Sequence, residues 1–243
     1  YNGSAWSEIA EINQARAFSG GSGANAEAVL IFGGRHPSGG DDYDNSELWN
    51  GSSWSETHEL NTGRSRGAGA GIVSTAALLM GGRQDPPPSL QDQVEQYNGS
   101  AWSEVAELNT DRINAAAFGT NTSAILATGG TSGGDQAGTT NAESWNGSSW
   151  TEVGDMSSGR QAIGGSSVTG ISSALVAAGY TGTAYVASTE EWTTTPSETF
   201  TKQVDGQLYF NSTSNAFKIT EFDIPGASWS SGGAMNSGSD SLG

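Results

Sequence analysis

The strings YNGSAWSE (1–8), WNGSSWSE (49–56), YNGSAWSE (97–104) and WNGSSWTE (145–152) decide the fold. Their tryptophans Trp6, Trp54, Trp102 and Trp150 stand 48 residues apart. Arg16, Arg64, Arg112 and Arg160 keep the same interval. A glycine pair recurs at Gly33-Gly34, Gly81-Gly82 and Gly129-Gly130, and drifts to Ala178-Gly179 in the fourth copy. Trp192 follows Trp145 by 47. Coincident periods of this length mark stacked repeats, each too small to bury its apolar face alone.

Working outward from the Asn-Gly turn, one unit reads as four short strands. Residues 17–23 (AFSGGSG) are small, and 28–32 (AVLIF) form an apolar run that ends at the glycine pair. Residues 46–50 (SELWN) and 53–57 (SWSET) alternate on either side of Asn50-Gly51. Asn-Gly tolerates positive φ at both turn positions, which predicts a tight type I′ hairpin. A helical reading fails, because Gly and Ser are too frequent and no 3.6 period appears.

Four-stranded units of this length predict an all-β fold, a β-propeller. The segments AFSGGSG, GAGAG (67–71), AAAFG (115–119) and AIGGSS (162–167) are small enough for the crowded innermost strand. Trp49, Tyr97, Trp145 and Trp192 would fill the wider outer gaps. The last unit shows three strands and no NGSxW, whereas Tyr1–Ala10 offers a fourth strand alone. The expectation is a ring of four blades closed by the N-terminal strand, which removes exposed edges. A larger ring with further units is the competing reading. The organisation expected is a propeller over 1–195, a β-rich linker module over 196–228 and a degenerate further repeat over 229–243. The linker should turn at Asp205-Gly206 and around Ser212–Asn215. Residues 229–243 echo 150–165, with Ser239 where arginine belongs. That echo creates the expectation that the natural polypeptide continues, and the start at Tyr1 without Met reads either as a processed start or as a piece of a longer polypeptide.

Composition narrows the function classes. The 243 residues include 36 Gly, about twice the usual share of ~7%. Only 34% are hydrophobic, yet eight Trp, six Tyr and seven Phe argue against disorder. The absence of Cys excludes disulfides, thiolate metal sites and a Cys nucleophile. Nine basic against 26 acidic residues give −17, a charge that repels nucleic acid and anionic lipid. No apolar run reaches the ~18 residues of a membrane span. No Gly-x-Ser-x-Gly elbow or phosphate loop is present, and His36 and His58 stand 22 apart with no ligand spacing. The chain is therefore expected to be no enzyme and to need no cofactor or metal.

The glycine pair after the second strand, the aromatic ending the third, the Trp of the fourth and the arginine before the first resemble the kelch pattern over about 1–192. The segment DGQLYFNSTSNAFKITE (205–221) with its Trp- and Gly-rich sequel resembles a linker in marine bacteriophage virion proteins. There, GQxYFNxxSNxFK segments interrupt NGSxW arrays. The resemblance implies a structural or adhesion role in a phage tail, tail fibre or virion surface. Implied partners are other virion subunits in a symmetric homo-oligomer, and a host surface glycan or protein. The place implied is the virion, outside the cell. A secreted or cell-surface bacterial interaction module is the alternative, and a glycan-acting hydrolase a distant one.

Arg16, Arg64, Arg112 and Arg160 lie near two periodic sets of acids, one at Glu8, Glu56, Glu104 and Glu152, the other at Glu47, Glu95, Glu143 and Glu190. Buried Arg–carboxylate bridges are expected; the functional alternative is an arginine ring that binds an anion at the channel mouth. Asn2, Asn50, Asn98 and Asn146 sit in glycosylation sequons that the turn already explains. The acidic loop with Asp41, Asp42 and Asp44 is a calcium candidate, although it lacks EF-hand spacing. Variable stretches follow the glycine pairs at 35–45, 83–93, 131–141 and 180–188. A constant frame with variable loops is how a scaffold carries recognition. The candidate contacts there are Arg35, His36, Asp42, Tyr43, Arg83, Gln84, Tyr180 and Tyr185.

Overall fold

The computed structural model describes residues 5–132, 138–167, 170–194, 208–211 and 216–219. The chain divides into two compact units, Tyr1–Thr194 and Thr195–Gly243.

The first unit is all-β, four antiparallel sheets arranged as propeller blades. Blade one comprises β1 (Gly20–Asn25), β2 (Ala28–Phe32), β3 (Ser46–Trp49) and β4 (Trp54–Glu56), hydrogen-bonded in chain order. Blade two repeats this with β5 (Ala68–Val73), β6 (Ala76–Gln84), β7 (Ser89–Tyr97) and β8 (Trp102–Val105). Blade three has β9 (Ala116–Thr120), β10 (Ser123–Ala127), β11 (Ala142–Trp145) and β12 (Trp150–Val153). Blade four has three strands, β13 (Gly164–Ser167), β14 (Ser173–Ala177) and β15 (Thr189–Thr193).

The first strands of successive blades pack together, β1 on β5, β5 on β9 and β9 on β13. Small residues make this possible. A Cβ on Gly69 would stand 2.8 Å from the Gly21 nitrogen of the neighbouring blade, far inside van der Waals contact. Between blades, apolar faces interlock. Leu30 and Phe32 of blade one pack with Ala77 and Leu79 of blade two. Leu78 and Met80 of blade two pack with Ala124 and Leu126 of blade three. Ile125 and Ala127 pack with Ala174 and Val176 of blade four. Each second strand is thus apolar on both faces, as a strand sandwiched between sheets must be.

Four sequence expectations need correction. Among the described residues the closing strand is not seen: residues 5–10 carry no strand, and β15 is the last described strand of its sheet. Trp6 is 84% exposed, against 5% for Trp102 and 8% for Trp150. The NGSxW turn is not a type I′ pair. The ladders end at Trp49–Trp54, Tyr97–Trp102 and Trp145–Trp150, which leaves four-residue loops. Only the glycine takes positive φ (93°, 93° and 94° at Gly51, Gly99 and Gly147). The Asn98 Oδ1 accepts the Ser100 and Ala101 backbone N–H at 2.9 and 3.0 Å, an Asx turn that supplies the missing backbone bonds.

The third glycine pair is displaced by one residue. Gly33-Gly34 and Gly81-Gly82 have φ near 60° then 102–113°; in blade three these angles fall on Thr128 (54°) and Gly129 (106°), not on Gly129-Gly130. Thr128 is held there by its hydroxyl, whose oxygen accepts the Arg160 backbone N–H at 2.9 Å and whose single hydrogen faces the Arg160 and Thr139 carbonyls, 2.5 and 2.6 Å away. Finally, 83–93 is mostly strand rather than loop: β6 and β7 extend until Gln84 pairs with Ser89.

In the second unit β16 (Leu208–Asn211) pairs antiparallel with β17 (Ala216–Ile219). The expected turns at Asp205-Gly206 and Ser212–Asn215, the repeat-like 229–243 and Asn2 lie outside the described residues.

Candidate functional site: a stapled frame, a loop cluster and an axial basin

The periodic arginines are staples. The segment before each blade carries a residue three before the arginine, and the following third strand carries a glutamate. Arg64 Nη1 donates to Glu95 at 2.5 Å, and Arg16 Nη2 to Glu47 at 2.7 Å. Arg112 pairs with Glu143 and Arg160 with Glu190 in the same way. The four arginine side chains are 0–1% exposed. The glutamate accepts more than this bond. Glu95 also takes the Asn61 backbone N–H at 2.7 Å and its side-chain amide at 2.9 Å, and Asn13 and Asn109 serve Glu47 and Glu143 alike. Arginine groups left over donate to carbonyls, such as Arg16 to Gly33 and Asn45. These bonds offset much of the cost of burying the pair. Arg64 Nε adds one to the Gly81 carbonyl at 3.0 Å, whereas the Nε groups of Arg16, Arg112 and Arg160 find no acceptor among the described residues. Burial pulls the Arg64 guanidinium below its ordinary range, and the adjoining Glu95 carboxylate pulls it back. Of the two acid sets, the third-strand one is used. Glu56 and Glu152 instead accept from the amides of Asn45 and Asn141. Sealed as they are, these guanidinium groups form no open anion ring.

The loop candidates divide into two groups. Arg35, Asp42 and Arg83 converge on Asp85, a residue the sequence did not single out. Asp85 pairs with Arg35 Nη1 and Arg83 Nε, each at 3.0 Å. Its backbone N–H donates to Asp42 at 2.7 Å. This cluster ties the loop of blade one to that of blade two. Burial raises the Asp42 carboxyl above its ordinary range, against bonds from Ser65 and the Asp85 backbone and the charge of Arg35. Asp42 is engaged with the frame, and among the described residues no three His, Cys, Asp or Glu side chains are grouped to hold a metal. Tyr43 lies under Arg16, 5.5 Å from ring to guanidinium, and edge-on to exposed His36 at 6.3 Å. Gln84 is half-buried at the end of β6. On blade four Tyr180 and Tyr185 stack at 4.9 Å, and Tyr185 is 86% exposed.

A second site escaped the sequence reading. Two residues beyond each staple arginine stand Phe18, Arg66, Asn114 and Ala162, all at positive φ (58°, 61°, 53° and 52°). Their backbones join blade to blade: Arg66 N–H donates to Phe18 O at 3.0 Å, Asn114 to Arg66 at 2.9 Å, Ala162 to Asn114 at 3.0 Å. Together with Ser19, Gly67, Ala115 and Ile163 they line an open basin to which all four blades contribute. The left-handed conformation costs a non-glycine residue about 1 kcal/mol or more. Asn meets it readily, whereas Phe, Arg and Ala do not. Among the described residues Arg66 is the arginine with no carboxylate in ion-pair range; its guanidinium lies 4.7 Å from the Phe18 ring. The detectable signal was a periodic position whose residue never repeats inside a repeating frame.

Fold and site define the class: this chain is a β-propeller repeat protein of four blades, locked by buried Arg–Glu staples, with non-repeating side chains on its loops and around its axis. No protein-family model matches the chain, and no curated protein matches it in sequence.

Proposed function

We propose that the chain is a non-enzymatic recognition and assembly module of a phage virion, built on kelch-like blades and working outside the cell. One observation carries the reading: an invariant staple frame holds side chains that differ from blade to blade at the loop tips and the axial basin. Phe18, Arg66, Asn114 and Ala162 occupy equivalent strained positions and share no chemistry. Strain of this kind collects at functional positions. The NGSxW array and the GQLYFNSTSNAFK segment support a virion role through their resemblance to phage proteins. The net charge of −17 favours a particle that stays dispersed and avoids nucleic acid. Exposed Tyr185, its ring tilted against Tyr180, offers a surface for a sugar face, which makes a host glycan the first receptor class to examine.

The test is immunogold labelling and peptide mapping of phage particles purified from cultures that carry the gene. Stoichiometric copies on tails or surfaces support the reading. Protein found in the culture fluid or on bacterial cells but absent from particles sinks it and favours the bacterial module. Turnover of polysaccharide by the purified chain would displace both.

A further inference from the structure

Blade four contains an empty socket. At the first interface Trp102 of β8 reaches back to Phe32, ring centroids 4.9 Å apart, and donates its indole N–H to Ser46 at 3.2 Å. At the second, Trp150 of β12 packs with Met80, Val94 and Leu108 and donates to the Ala106 carbonyl at 3.0 Å. At the third, no such tryptophan is present among the described residues. In its place is an open cleft lined by Ala127, Ala142, Met156, Val176 and Trp192. These are the counterparts of Phe32, Ser46, Leu60, Leu79 and Tyr97 around Trp102. Gly154, the counterpart of Ala106, borders the cavity, and a Cβ added there would meet nothing within 4 Å.

Two further observations mark this side as unfinished. The Glu190 side chain is 25% exposed, whereas Glu47, Glu95 and Glu143 are fully sealed. Leu175, on the face that would meet a following blade, is 48% exposed, whereas its counterparts Leu30 and Leu78 are 0% exposed.

We propose that the socket takes the Tyr1–Glu8 segment of a second copy of this chain. That segment, YNGSAWSE, is identical to Tyr97–Glu104, which supplies the turn and Trp102 of blade two. Added antiparallel to β15, it sets Trp6 opposite Trp192 and Glu8 opposite Glu190, as Trp150 faces Trp145 and Glu152 faces Glu143. The backbone edge of β15 supplies the hydrogen bonds of strand addition, and the tryptophan socket supplies specificity. A fourth strand always leads into the next blade's first strand, so the incoming copy's blade one is delivered to the face that exposes Leu175. Two copies exchanging segments reciprocally satisfy both edges in a closed dimer. This inference does not depend on the virion reading.

The experiment is sedimentation of the full chain from nanomolar to tens of micromolar, beside Trp6→Ala and Leu175→Asp. A labelled peptide of residues 1–10, YNGSAWSEIA, and its Trp→Ala analogue serve as probes. The expected result is concentration-dependent dimerisation, weakened about tenfold or more in both variants. Monomeric Trp6→Ala should bind the tryptophan peptide saturably and ignore the analogue. A wild-type chain that stays monomeric overturns the proposal, as does a Trp6→Ala chain that dimerises as tightly. So does failure of the peptide to bind. A monomer that admits the peptide only after Trp6 is replaced would assign the socket to the same chain, and overturns the second-copy occupant too.

Discussion

Arg64 donates to Glu95 at 2.5 Å with neither side chain touching solvent, and the pair joins the segment entering blade two to that blade's third strand. Three further copies make the propeller a stack of like locks, the last of them partly open at Glu190. Removing one partner leaves a buried charge that water cannot reach.

Arg112→Met is therefore expected to destabilise the first unit by about 3–5 kcal/mol. In a unit of this size the melting temperature should fall roughly 6 °C or more. Glu143 would be left with its Asn109 bonds alone. Arg112→Met with Glu143→Gln should cost less than the sum of the single changes, because the stranded carboxylate is gone. Thermal unfolding followed by circular dichroism reads both, and an unaltered midpoint for Arg112→Met contradicts the sealed pair.

Asn98 accepts three hydrogen bonds, from the Ser100 and Ala101 backbone N–H and the Ser100 hydroxyl. Asn98→Ala should cost about 1 kcal/mol, while Asn98→Asp, which keeps the acceptor, should cost less. Equal losses in denaturant titrations would mean that the side-chain oxygen does not organise the turn.

At Ala162, φ is 52° and the side chain is exposed. Ala162→Gly should leave stability unchanged or raise it by up to about 1 kcal/mol, since left-handed strain is relieved. Ala116→Gly, in buried β9, should lower it through lost packing and added chain entropy. The same sign at both sites in chemical denaturation would refute the strain at the basin.

Glu190 has its carboxyl held below the ordinary 4.5: burial pushes it up, but the Ser157 backbone and hydroxyl and the Arg160 guanidinium outweigh that. A depressed carboxylate contributes stability that is present above its unfolded value and lost as pH falls through the folded one. Blade four should thus loosen below about pH 4.5. Carbon-detected NMR titration should place the Glu190 midpoint under 4.5, with faster amide exchange in β14 and β15 following it. A midpoint at or above the ordinary value rules the linkage out.

Much of this molecule was legible because its signals are local and repeated. Small residues at 17–23 and 67–71 announced an inner strand, since wedge-shaped sheets leave no room for side chains near their axis. The staple arginines were legible as bridge partners through their period. Which acid they would choose was not: Glu95 and Glu104 face each other in one ladder, and only the approach of the preceding segment selects Glu95. Asp85 stayed hidden for the same reason, being a single residue in a Pro-rich turn that acquires meaning when Arg35 arrives from another blade. The axial basin was missed because its members, spaced 48 apart, share a backbone conformation rather than a residue type.

The sequence by itself determined the repeat, the four-stranded unit, the propeller class and the residues of the frame, because hydrophobic alternation and turn chemistry act over a few residues and recur. Tertiary structure decided the rest. It placed the third left-handed pair on Thr128 and Gly129, where the hydrogen bonds given and accepted by one hydroxyl fix the backbone. Among the described residues it left β15 without a fourth strand, although a matching segment exists at the N-terminus. It also gathered Phe18, Arg66, Asn114 and Ala162 around one axis. Each outcome depends on groups from different blades meeting in space, a relation that neighbours along the chain do not encode.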